Sequence, residues 1–183
     1  MTDARTDDET LQELFIACAS RWRTAEGQLG IGVPKKKLLE ALGIEEAGLR
    51  PLLDQLTGRL APLGLDLVEY YYARDRWYAV KSVFPAPNEL DEYELAALGV
   101  VIAMVEESKR PNEAAVQAGK LKRVLVRGKY LTQYRLDRVL ANLEHLGYLR
   151  RKKEGYAYGP RTLLEYSEES RRNILEEAKE LVF

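Results

Sequence analysis

The sequence passes twice through the same succession of patterns, three helical stretches and then a β-hairpin, and few folds accommodate that order. In the first pass, Leu11, Leu14, Phe15, Cys18 and Trp22 recur at spacings of three and four, the apolar stripe of one helix. Glycines 27, 30 and 32 then break the chain, and Pro34 stands at the first position of a second helix, about Lys35 to Leu42, stopped by Gly43. Leu49, Leu52, Leu53, Leu56 and Leu60 predict a third helix ending near Pro62 and Gly64. Leu65 to Tyr72 and Arg76 to Val83, rich in Val, Tyr and Trp, predict a hairpin turning at Ala73, Arg74 and Asp75.

Pro85 and Pro87 mark a stiff linker, and beyond it the order repeats. Leu95, Leu98, Ile102 and Val105 open the second pass, with Asp91 as N-cap. A helix over about Asn112 to Lys122 follows. A third begins at Thr132, carries Leu136, Val139, Leu140, Leu143 and Leu146 on one face, and ends at Gly147. Tyr148 to Lys153 and Tyr156 to Tyr158 predict a second hairpin turning at Glu154 and Gly155, and a last helix covers about Glu168 to Leu181. The expected fold is therefore α+β, a tandem winged-helix protein with a C-terminal helix. Its expected parts are a disordered acidic tail at 1–9, winged-helix domains at 10–84 and 90–183, and a linker at 85–89. A single α+β domain with two hairpins is the alternative, and the two prolines argue against it.

Length agrees with that division: 183 residues over about 150 per domain leave room for one medium domain or two small ones. Cys18 is the only cysteine, which excludes an internal disulfide and argues against a multi-thiolate zinc site. No run reaches the roughly 18 apolar residues of a membrane helix, and the polar start is unlike a signal peptide, so no membrane association and a cytoplasmic location are expected.

The net charge of −1 conceals an uneven distribution. Between Lys120 and Arg161, twelve Lys or Arg face only Asp137, Glu144 and Glu154, a surplus of nine positive charges. Arg135, Arg138 and Asn142 lie on the side of the third helix away from its leucines, Arg150, Arg151, Lys152 and Lys153 run into the second hairpin's turn, and Lys129 and Arg161 flank the set. A winged helix that binds DNA places its third helix in the major groove and its wing against phosphates, so these nine residues form a candidate DNA-binding face. The alternatives are a solvated charged face or cations that protect edge strands.

Nothing in the sequence marks an enzyme, and no cofactor is expected. His145, the only histidine, has no nucleophile or acid at a motif spacing, Cys18 sits on an apolar stripe, and the glycines at 27, 30 and 32 lack the Gly-Lys-Ser/Thr of a phosphate loop. Tyr70, Tyr71 and Tyr72 are consecutive, so a strand sends at least one to each face; with Trp77 and Tyr78 opposite, they form a candidate protein-binding surface. Packing on both faces is the alternative. Lys35, Lys36 and Lys37 put cations in the first turn of a helix, against its dipole.

The stretch Gly147-Tyr-Leu-Arg150, followed by Tyr156-Ala-Tyr158-Gly-Pro-Arg161-Thr-Leu-Leu-Glu165, resembles the C-terminal wing of the MAGE-homology proteins, non-SMC subunits of the SMC five-six complex. The first unit, with Ala41-Leu-Gly-Ile44 before a leucine-rich helix and an aromatic hairpin, is similar to ScpB, the bacterial SMC partner. Both belong to the kite superfamily, the kleisin-interacting tandem winged-helix elements. The resemblance implies a non-catalytic accessory subunit that dimerises with itself or another kite protein and binds kleisin and SMC ATPase subunits. It also implies possible weak DNA contact, a chromosome-associated location, and a role in chromosome organisation or DNA repair. One family member carries a C-terminal RING-type zinc domain; with a single cysteine before Phe183, ubiquitin-ligase activity does not carry over. The competing expectation is a tandem winged-helix transcriptional regulator that reads DNA sequence.

Overall fold

The computed structural model describes residues 7–24, 27–84, 89–153 and 155–182. The start of the expected tail (1–6) and the linker residues 85–88 lie outside that set. The chain separates into two compact units, Met1–Trp22 with Gly30–Pro87 and Arg23–Leu29 with Asn88–Phe183.

In the first unit α1 (Asp7–Ala19) already includes Asp7 to Glu9, the end of the stretch read as a tail. It buries Leu11, Leu14 and Cys18. The helix ends before Trp22, which lies instead on β1 (Arg21–Arg23). The glycine-rich stretch is a hairpin, because β1 pairs with β2 (Leu29–Ile31). A further short strand, β3 (Val33–Pro34), leads into α2 (Lys35–Leu42), so Pro34 caps that helix from an extended conformation. Gly43 closes α2 in the left-handed region (φ 65°), its N–H bonded to Leu39. Next comes α3 (Glu46–Leu60), and after one 3₁₀ turn come β4 (Leu65–Tyr72) and β5 (Asp75–Ser82).

The hairpin turn is tighter than expected. Tyr72 pairs with Asp75, and Ala73 (φ 53°) and Arg74 (φ 68°) alone make the bend. Two central residues with positive φ match the right-handed twist of the strands, which here outweighs the usual preference for Asn-Gly. The antiparallel sheet has the order β3-β5-β4. One of its faces supplies Tyr78, Val80, Leu65 and Leu67 to the leucines of the three helices.

The second unit repeats the order helix, strand, helix, helix, strand, strand. It consists of α4 (Glu92–Glu106), β6 (Val116–Gln117), α5 (Ala118–Lys122) with a π-helical turn (Arg123–Arg127), α6 (Gln133–Leu146), β7 (Leu149–Lys152) and β8 (Gly155–Tyr158). Two helices follow, α7 (Pro160–Glu165) and α8 (Glu168–Val182), the latter packed on α4. The sheet order β6-β8-β7 is that of the first unit. The helix expected over Asn112 to Lys122 is thus a strand followed by a shorter helix. Its start is overridden by sheet pairing, Val116 opposite Tyr156. Gly155 permits this approach, since a Cβ there would lie 1.9 Å from the Val116 carbonyl oxygen.

The helix signals behave as written in the sequence. Asp91 Oδ1 accepts from the N–H groups of Tyr93 and Glu94, and Glu94 Oε2 accepts from the Asp91 N–H, a complete capping box. The Thr132 hydroxyl caps α6 and Gly147 (φ 86°) ends it. Both units are winged helices, and the protein is α+β.

Candidate nucleic-acid interface

The third helix of the second unit, α6, buries Leu136, Val139, Leu140 and Leu143. Opposite them, Tyr134, Arg138, Ala141 and His145 recur at intervals of four, three and four, and all are exposed. This stripe is what α6 offers to a partner.

Several of the nine candidate DNA-binding residues have internal tasks. The Arg135 guanidinium lies 3.5 Å from the centre of the Tyr93 ring. Asn142 Nδ2 donates to Glu94 Oε1 at 2.6 Å, which holds the capping carboxylate from its other side. Arg151 Nε donates to Glu144 Oε2 (3.1 Å) and Nη2 to the Tyr156 hydroxyl (3.1 Å). Those groups, Tyr156 first and then Glu144, raise the Arg151 pKa further above its ordinary value. Lys152 Nζ donates to the Glu113 carbonyl (2.7 Å), and Arg150 is half-buried.

Arg161 is the most committed of the set. Its side chain is 13% exposed and bridges Glu89 and Glu165. Its guanidinium stands over the Tyr148 ring at 4.3 Å. Burial works against its charge, and the hydrogen bonds to Glu165 and Glu89 more than offset it. Burial, and then the hydrogen bond to Glu165, push the Tyr148 phenol up. Lys129, Arg138 and Lys153 are exposed, and among the described residues no ion pair holds them.

The five aromatic candidates of the first wing separate by strand alternation. Tyr70, Tyr72 and, opposite Tyr70, Trp77 share the sheet face turned away from the helices. Trp22 covers that face, its ring 5.6 Å from Trp77 and nearly parallel to it. The Tyr70 hydroxyl donates to the Ile31 carbonyl. Tyr78 points into the helical core. Four of the five are therefore buried, and only Tyr71 is exposed. The covering ring comes from β1, which the glycine-rich stretch concealed.

Three aromatics missing from the sequence-derived set are strongly exposed: Phe84 at 71% in the first unit, and Tyr130 at 55% and Tyr134 at 78% in the second. The periodicity of α6 carried a signal for Tyr134, two residues before the buried Leu136 and off the apolar stripe. Elsewhere, burial pushes the Cys18 thiol up to about 12. Among the described residues no group of three or more His, Cys, Asp or Glu could hold a metal ion. No helix of the described residues is long and apolar enough to cross a membrane.

These features define a tandem winged-helix protein whose second unit carries exposed cations and tyrosines. No family model and no curated protein matches the sequence. Among solved structures the chain is similar to a chain of the "Nse1-Nse3-Nse4 complex", with a TM-score of 0.54 and 11% identity over 96% of this chain and 78% of that one. At that identity the likeness is one of fold.

Proposed function

We propose that the protein is a non-catalytic, kite-type accessory subunit of an SMC–kleisin complex, binding kleisin and touching DNA weakly through exposed cations of its second unit. It would act in chromosome organisation or DNA repair with SMC ATPase subunits, as a dimer with itself or another kite protein, in the cytoplasm and associated with the nucleoid or chromosome. Residues 10–84 and 90–183 would serve as its two domains, joined through 85–89. The observation that carries this reading is the fold likeness to a chain of the Nse1-Nse3-Nse4 complex across nearly the whole molecule. The wing motif supports it from the sequence side: Gly159, Pro160 and Arg161 stand where the MAGE-homology resemblance puts them.

The competing regulator would read bases with hydrogen-bonding side chains on its third helix. Asn142 and Arg135 of α6 are occupied by Glu94 and Tyr93, which favours the scaffold. Affinity purification of the tagged full-length protein from its native host at mild salt, with mass spectrometry, tests the reading. A kleisin or SMC ATPase is expected, and recovery without either overturns it. A duplex preference of at least about 4 kcal/mol for one sequence over random DNA would instead establish the regulator.

A further inference from the structure

The loop before α6 is held in one shape by its own backbone. Tyr130 and Leu131 both donate N–H bonds to the Leu125 carbonyl (3.0 and 2.8 Å), and Lys129 donates to Val126 (3.0 Å). Buried Leu131 anchors its end. Lys129 takes a left-handed conformation (φ 64°), costly for a residue with a Cβ. At Gly128 a Cβ would fall 2.3 Å from the Val124 carbonyl oxygen and 2.8 Å from the Tyr130 ring, so the ring lies directly over the glycine. Lys129 and Tyr130 of this hydrogen-bonded loop and Arg127, at the end of the π-helical turn before it, face solvent, and Tyr134 and Arg138 continue the exposed surface on α6.

The chain that carries the two rings is strongly cationic. From Lys120 to Arg138 seven Lys or Arg stand against Asp137 alone, and that carboxylate accepts a hydrogen bond from Gln133. A polyanion with flat apolar groups complements such a surface, and an unpaired nucleic-acid strand supplies both. Its phosphates follow the cations while its bases stack on the exposed rings, with little sequence preference. A duplex keeps its base faces covered and leaves the tyrosines without that contact. The rings stand four positions apart, at most about 14 Å of chain, a span of a few nucleotides. A loop already fixed loses little freedom on binding.

We infer that Tyr130 and Tyr134, flanked by Arg127, Lys129 and Arg138, form a stacking platform for single-stranded nucleic acid. The inference rests on the nucleic-acid contact in the proposed function and specifies its ligand. The test is fluorescence anisotropy of the full chain with oligothymidylate, oligouridylate and a DNA duplex of equal length, over a salt series. At least one single strand should bind more tightly than the duplex, and the better of the two identifies DNA or RNA as the source. Tyr130→Ala and Tyr134→Ala should each weaken strand binding by about 5-fold or more without changing the salt slope. Tyr130→Phe and Tyr134→Phe should retain it. Lys129→Ala and Arg138→Ala should each lower the slope by about 0.7.

Tighter duplex binding, or indifference to both alanine changes, overturns the platform and leaves the weak DNA contact standing. Binding of neither nucleic acid overturns both. If the strand is not bound and the alanine variants lose a co-purifying kleisin, the patch is a protein interface and the inference fails.

Discussion

Arg171 Nε lies 2.8 Å from Glu106 Oε1, and the two side chains are only 8% and 4% exposed. The pair ties α8 to α4. Tyr158 of β8 donates its hydroxyl to the same carboxylate oxygen (2.9 Å), and Arg171 Nη1 donates to the Tyr166 carbonyl (2.7 Å). Burial, and then the Glu106 charge, hold the Tyr158 phenol neutral well above its ordinary range. Each charge is thus desolvated and compensated by the other and by neighbouring hydrogen bonds, so removing one member harms more than removing both. Arg171→Met should lower stability by about 3–5 kcal/mol in urea denaturation followed by circular dichroism. Glu106→Leu in the same chain should restore much of the loss, and equal losses in the single and double variants would refute the argument.

The Gly-Pro-Arg segment has a local structural task. Gly159 N–H bonds to the Tyr148 carbonyl (2.8 Å) and Arg161 N–H to the Gly147 carbonyl (3.0 Å). The Thr162 hydroxyl also reaches the Tyr148 carbonyl (2.6 Å). The start of α7 is therefore laced to the end of α6. A Cβ on Gly159 would stand 2.2 Å from the Gly147 carbonyl oxygen. Gly159→Ala should destabilise the protein by about 1–3 kcal/mol, read from the shift in the denaturation midpoint.

The candidate DNA-binding residues divide by whether their side chains are engaged. Arg138→Glu with Lys153→Glu should weaken duplex binding and flatten its dependence on salt by about 0.9 per lost phosphate contact. Arg161→Ala should lower thermal stability with little effect on that slope, because its charge is spent on Glu89 and Glu165. Anisotropy titrations across salt separate the two outcomes, and an equal slope change in both variants would contradict the division.

Alkaline pH should expose the buried protons. Burial raises the Cys18 thiol from 9.0 to about 12, and burial first of all raises Tyr70 and Tyr158 above 10.0. A raised folded pKa contributes stability that is complete below the unfolded value and is lost as pH rises through the folded one. Denaturation midpoints should therefore be insensitive to these groups at neutral pH and fall above about 9. Cys18→Val should flatten the profile between 9 and 12. In the native protein the thiol should react with a disulfide reagent far more slowly than in urea.

Local patterns in the sequence carried the helices. The apolar spacing of α6, the Asp91–Glu94 capping box and the stops at Gly43 and Gly147 depend on groups within a turn of one another, so the sequence alone determined them. It also determined the repeated order of elements, both hairpins and the concentration of positive charge between Lys120 and Arg161. The short strands β1, β2, β3 and β6 were illegible, since two or three residues have no period and exist only through a pairing partner, distant for β3 and β6, as for Val116 through Tyr156.

The same reason governs the surfaces. Alternation required the three tyrosines to occupy both sheet faces, but Trp22, some fifty residues away, decided that Tyr70, Tyr72 and Trp77 are covered. The sequence supplied Arg135, Asn142 and Arg161 as hydrogen-bonding groups, and only the tertiary structure assigned them to Tyr93, Glu94 and Glu89. Charge and periodicity are properties of neighbours along the chain. Whether a charge or a ring is free depends on what the fold brings beside it, and that left Arg138, Lys129, Tyr130 and Tyr134 facing solvent.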